Sequence, residues 1–192
     1  WGRWTPAALS YLTSGELPYA NGLVNLQWGD EGTSTMSRLA EIKSTYDTWR
    51  SLYPYVLAHT NFLHFSEVGG TPEGLNTYMQ ATHPDLLCFD AYPEYYYPTK
   101  PWKIHDSREQ WYDRMIGYRN VGTAGYGTGP IPYGQYMRVY RKSYSDPLPD
   151  ESFIRMQYFA NWAFGFTFVS AFIYNDPIYS GIYAAMFDSA GE

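Results

Sequence analysis

Cysteine is almost absent from this chain. The single thiol, Cys88, cannot form an intrachain disulfide, and its place inside the apolar run "LLCF" reads as a small core residue. The compartment stays open on that count, since a secreted bacterial enzyme can do without disulfides; an extracellular or periplasmic setting is the favoured expectation. Basic residues are scarce as well, 13 Lys and Arg against 19 Asp and Glu, for a net charge of -6. That balance argues against nucleic acid or an anionic membrane surface as a partner, because both attract clustered Lys and Arg. No apolar stretch approaches the roughly 18 residues that a membrane-spanning helix needs. There is no Asn-x-Ser/Thr sequon, and no leader precedes the opening "WGRW", so the chain is expected to be a processed or truncated product.

Several chemistries also lack their residues. No Gly-x-Ser-x-Gly elbow occurs, which weighs against a serine nucleophile. No Gly-rich phosphate loop follows the first strand, and no His-x-His or Cys/His spacing suggests a metal, so neither a cofactor nor a metal ion is expected. "GTAGYGTG" is rich in glycine but lies between a helix and a strand, the wrong context for phosphate, and reads as a loop.

What the chain has in abundance is aromatic surface, 20% of residues with 21 Tyr and 7 Trp. Such side chains present a flat apolar face with a polar handle, which suits the C–H faces and hydroxyl rims of sugars, or equally a Tyr-rich core with no ligand. With 45% hydrophobic and 17% charged residues over 192 positions, a single globular domain is expected.

The order of elements is an alternation. "GLVNLQW" (22–28) reads as a buried strand, followed by Thr33 or Ser34 as N-cap and a helix whose Met36, Leu39, Ile42, Tyr46 and Trp49 share one face, up to Pro54. "YVLAHTNFLHF" (55–65) is the next strand, and a short helix covers about Glu73 to Ala81. "DLLCFDAYP" (85–93) carries consecutive apolar residues, the mark of a parallel strand covered on both faces. A helix over about Ser107 to Val121, a strand at 131–141, a helix with Asp150 at its cap and Gly165 at its stop, and a strand at 166–176 complete the pattern. The final "YAAMFDSAGE" reads as a further strand and turn. Five strands separated by helices imply a parallel sheet, either open and doubly wound or part of a (β/α)8 barrel that would lack about three N-terminal units.

In parallel α/β folds ligands meet the C-terminal ends of the strands. Those ends carry Trp28, Asp30 and Glu31; Asn61, His64 and Phe65; Asp90, Tyr92 and Glu94; Gln135 and Arg138; and Tyr174, Asn175 and Asp176. Asp30 or Glu31 is alternatively a helix cap, and His59 with His64 a core or rim pair. Asp90 is an isolated acid behind an apolar strand, a placement that favours function.

"GDEGTSTMSRLAEIKSTYDTWRSLYPYVLAHTNFL", "HPDLLCFDAYP" and "PDESFIRMQYFANWAFGFTFVSAFIYND" together resemble successive segments of TIM-barrel glycoside-hydrolase-like proteins, and cover most of residues 22 to 190. The resemblance implies a partial (β/α)8 TIM-barrel, of about five βα units corresponding to strands four to eight. It makes Glu31 the match to the usual acid/base carboxylate. Gly32 stands where the resemblance leads one to expect proline, and Gln135 stands where such glycoside hydrolases carry a nucleophilic glutamate, which turns attention to Asp90 as the second carboxylate.

The expectation is therefore a glycoside hydrolase acting on a poly- or oligosaccharide. Glu31 would be the general acid, Asp90 the nucleophile or base, and Asp30 the residue that orients Glu31. Asn61, His64, Tyr92, Glu94, Gln135, Tyr174 and Asp176 would meet sugar hydroxyls, while Trp28 and the 94–102 loop with Trp102 would stack on sugar rings. A non-catalytic carbohydrate-binding protein and a structural or assembly protein are the alternatives. The N-terminal part of the barrel, or another chain, is the expected partner of the 22–28 strand edge.

Overall fold

The computed structural model describes residues 24–30, 36–62, 71–93, 107–140 and 149–172, with the backbone alone for 107–110. Strand β1 (Asn25–Gln27) is followed by a 3-10 turn (Met36–Arg38) and helix α1 (Leu39–Leu52). Then come β2 (Leu57–His59), β3 (Asn61–Phe62), α2 (Pro72–Thr82), β4 (Leu87–Phe89), α3 (Ser107–Ala124), β5 (Tyr133–Arg138), α4 (Glu151–Ala163) and β6 (Phe168–Phe172). Among the described residues no helix is long and apolar enough to cross a membrane.

Local chemistry explains most of these boundaries. Ile42, Tyr46 and Trp49 recur at helical spacing and are buried, so α1 lies with that face on the core. Thr71 accepts a hydrogen bond from the Gly74 amide, and Pro72 occupies the first turn of α2, where a missing N–H costs nothing. Asp150 Oδ1 accepts from the Phe153 amide at 2.8 Å at the start of α4, and Gly165 leaves that helix with φ 72°. Asp150→Ala should therefore cost about 1 kcal/mol, read as a lowered urea midpoint with an unchanged slope.

Every strand pair among the described residues is parallel, as the alternation with helices led us to expect. The single partial-barrel sheet is not what they form. They make two sheets, β1-β2 and β3-β4-β5-β6, flanked by four α-helices, and the partial (β/α)8 assignment is corrected to a parallel α/β arrangement of two sheets. The physical reason lies at Thr60. The strand expected over 55–65 breaks there: β2 before it pairs with β1, β3 after it pairs with β4, and no ladder joins the two sheets. Buried Thr60 turns its hydroxyl to the Trp28 carbonyl instead.

Groups outside the ladders satisfy two strand positions. The Asp85 carboxylate accepts from the Ala58 amide at 2.9 Å while the Asp85 amide donates to the Ala58 carbonyl at 2.8 Å, so the free edge of β2 is satisfied on both groups. Gln157 of α4 does the same for Arg138 at the end of β5, accepting from its amide at 2.9 Å and donating to its carbonyl at 3.0 Å.

The alternation of side chains then sorts the larger sheet into two faces. Phe62, Phe89, Tyr133 and Gln135 turn to the helices: Phe62 meets Tyr78 edge-on at 4.9 Å, Phe89 meets Tyr118 at 4.5 Å, and Gln135 lies between Trp111 and Asn161. The opposite face carries Asn61, Cys88, Asp90 and Tyr136. It meets the smaller sheet directly, where the Tyr136 hydroxyl donates to Gln27 Oε1 at 3.0 Å and the His59 ring lies 6.3 Å from that of Phe168.

Candidate functional site

Gln27 ends β1 and Asp30 follows it by three residues. Asn61 opens β3, Asp90 directly follows β4, Tyr136 lies in the second half of β5, and Phe172 ends β6. These six residues line one pocket. Two carboxylates from different strands thus share a cavity whose remaining walls are two amides, a phenol and an aromatic ring.

Hydrogen bonds fix the Asp30 side of the pocket. Its Oδ1 accepts from Asn61 Nδ2 at 2.9 Å and from Gln27 Nε2 at 3.2 Å. Gln27 holds its amide in that sense because Tyr136 donates to its oxygen, and an amide oxygen only accepts. The chain Tyr136–Gln27–Asp30–Asn61 therefore runs across both sheets. Burial first, then the charges around it, raises the Tyr136 hydroxyl well above its ordinary range, so at neutral pH it is a donor. Asp90 is buried, its amide bonded to the Phe62 carbonyl at 3.1 Å. Arg114 of α3 is half-buried within the field of Asp90. Cys88, beneath the two acids, is fully buried; desolvation first and then the charges of Asp90 and Asp30 raise its thiol well above the usual range. Such a thiol is no nucleophile.

An aromatic cluster borders the pocket. The Phe172 ring stacks on Tyr92 at 6.3 Å and meets Tyr140 edge-on at 5.6 Å and Tyr136 at 6.4 Å. Arg138 lies over the Tyr140 ring at 5.4 Å.

The residues expected to form a site from the strand ends divide into three groups. Asp30, Asn61 and Asp90 are brought together, with Tyr92 beside them. Trp28 and Gln135 are placed elsewhere. Trp28 is 4% exposed within the core, with the Arg38 guanidinium 4.5 Å over its ring. Gln135, 1% exposed, accepts from Trp111 Nε1 at 2.9 Å and donates to Asn161 Oδ1 at 2.6 Å, sealed on the helix side of the sheet. Glu31, His64, Glu94, Trp102, Tyr174 and Asp176 lie outside the described residues, as does the final "YAAMFDSAGE". Gln27, Tyr136 and Phe172 belong to the pocket without having been singled out from the sequence.

His59 is a core residue. It is 1% exposed, both ring nitrogens are without a hydrogen-bond partner, and burial pushes its pKa down to about 4. The folded state thus binds fewer protons than the unfolded state at acid pH, and the stability present above the unfolded pKa is lost as pH falls towards the folded one. Between about pH 7 and about pH 5 this single group should remove about 2 kcal/mol. Urea unfolding of the protein and His59→Phe at both pH values checks this, with the variant expected to show the shallower dependence.

The fold and pocket define a class: a parallel α/β protein with a carboxylate pair at the strand ends, the position where such sheets hold ligands. No family model, no curated protein and no solved structure matches this chain.

Proposed function

We propose that this protein hydrolyses glycosidic bonds in a poly- or oligosaccharide. The observation that carries the reading is the shared pocket of Asp30 and Asp90. Glycoside cleavage needs one carboxylic acid to protonate the leaving oxygen and one carboxylate to attack the anomeric carbon or to activate water. Asp90 takes the second role, and the Asp30–Glu31 dipeptide supplies the acid, with Asp30 held in place by Gln27 and Asn61. The Tyr92–Phe172–Tyr140 rings offer a surface for sugar C–H faces.

Reducing-end release by the purified protein over a panel of neutral, amino and acidic glycans tests the proposal, with proton NMR of the first product giving the anomer. Turnover of at least one panel member is expected. The aromatic cluster, which is independent of the carboxylates, also favours a second reading as a non-catalytic carbohydrate-binding protein. Binding to the panel without any release would move the assignment there, and neither binding nor release would overturn both.

A further inference from the structure

The two amides of the pocket differ in how they are used. Gln27 is occupied at both ends: its Nε2 donates to the Gly29 carbonyl and to Asp30, and its Oε1 accepts from Tyr136. Asn61 is occupied at one end. Its Nδ2 donates to Asp30 Oδ1 at 2.9 Å, while its Oδ1 is buried and accepts no hydrogen bond. The sense of that amide is fixed, because a carboxylate oxygen accepts and only the nitrogen end of Asn61 can donate to it. The residue is 2% exposed, so bulk water does not make up the deficit. A buried acceptor in that condition calls for a donor from outside the protein.

The space decides which donor. The inner volume is about 10 Å³, room for one group the size of a water molecule. A hydroxyl fits it. An acetamido N–H carries a carbonyl and a methyl group that such a volume does not admit. An ether or ester oxygen offers no proton and would set its lone pairs against those of Oδ1. Phe172 forms an apolar side of the same pocket, where the C–H face of the ring bearing the hydroxyl would lie.

We propose that Asn61 is a specificity-determining residue whose Oδ1 accepts from one free hydroxyl of the ligand; that this is a sugar hydroxyl rests on the glycosidase reading. Tyr136, Gln27 and Asp30 act as positioning residues here, since their chain of hydrogen bonds holds the Asn61 amide in the sense that leaves its oxygen to the ligand. Sugars deoxygenated, etherified or esterified at that hydroxyl are then discriminated against.

Chemical-shift titration of the isotope-labelled protein with the methyl glycosides of glucose, galactose and mannose, and with their monodeoxy and monodeoxyfluoro analogues, tests this without depending on turnover. Fluorine in place of the hydroxyl keeps an acceptor and loses the proton, whereas hydrogen loses both. At one position of a sugar that binds, both exchanges should weaken binding about tenfold or more, and the parent sugar should move the Asn61 side-chain amide signals. Asn61→Leu should weaken the parent to the level of those analogues and abolish the difference between them. Its melting curve reports whether it folds; if it does not, the analogue series on the unaltered protein decides. Fluorine tolerated where hydrogen is not, the absence of any sensitive position, or no binding overturns the inference. So do Asn61 signals that no sugar moves, the result for a resident water alone. The donor signature with no hydrolysis of any glycan upholds it and sinks the enzyme reading, while hydrolysis with no such position does the reverse.

Discussion

Under the proposed glycosidase reading, Asp90→Asn should lower kcat/KM for glycan hydrolysis by about a thousandfold or more while leaving the fold in place. The exchange keeps the shape of the side chain and removes its charge, and with it the capacity to attack carbon or to take a proton from water. Asp90 follows the buried strand β4, and its backbone amide, bonded to Phe62, is untouched by the change. Asp30→Asn should act differently. Its Oδ1 accepts from both Gln27 and Asn61, so a side-chain NH₂ turned towards them would disrupt the Tyr136–Gln27–Asp30–Asn61 chain and lower stability as well as rate. Glu31→Gln distinguishes the two duties open to that residue: an acid loses turnover with normal melting, a helix cap loses stability and keeps turnover. Full activity in Asp90→Asn would end the carboxylate mechanism.

Gly134→Ala should cost about 3 kcal/mol or more, lowering Tm by about 10 °C. A Cβ at this position would lie 1.8 Å from the Phe168 carbonyl oxygen and 2.5 Å from its carbon, which are backbone atoms of the neighbouring strand. No rotamer relieves that contact; β5 and β6 must part. Among the described residues they share the longest ladder, five pairs from Gly134↔Phe168 to Arg138↔Phe172, and that ladder sets Tyr136 and Phe172 into the pocket. Gly127→Ala is the control. Its φ is 81° with nothing within 4 Å, so it should lose only about 1 kcal/mol from left-handed backbone. Circular-dichroism melts of the two variants separate the clash from the backbone preference, and equal losses would refute the packing argument.

Much of the local structure was legible in advance because it is governed by near neighbours. Asp150 and Gly165 mark the ends of α4 through groups within three residues, and the 3.6-residue recurrence of Ile42, Tyr46 and Trp49 marks the buried face of α1. The choice of side chains in β5 was not. In "YGQYMR" one face carries Tyr133, Gln135 and Met137 and the other Gly134, Tyr136 and Arg138, and both mix polar with apolar residues. A strand covered on both sides gives no hydrophobic alternation to choose between them. Gln135 was therefore expected at the ligand when its neighbour Tyr136 faces the pocket, and Trp28 was expected at a sugar when it lies under Arg38.

By itself, then, the sequence determined the run of helices and strands, the parallel sense of pairing, and Asp30, Asn61 and Asp90 as polar groups near strand ends. These follow from propensity, periodicity and connection length, which act over a few residues along the chain. Only the tertiary structure decided that Thr60 divides the strands into two sheets, that Asp85 and Gln157 stand in for missing strand partners, and that Gln27, Tyr136 and Phe172 close the pocket around the two acids. Tyr136 and Gln27 are separated by 109 positions, and the hydrogen bond between them exists only once the packing of the two sheets brings those positions together.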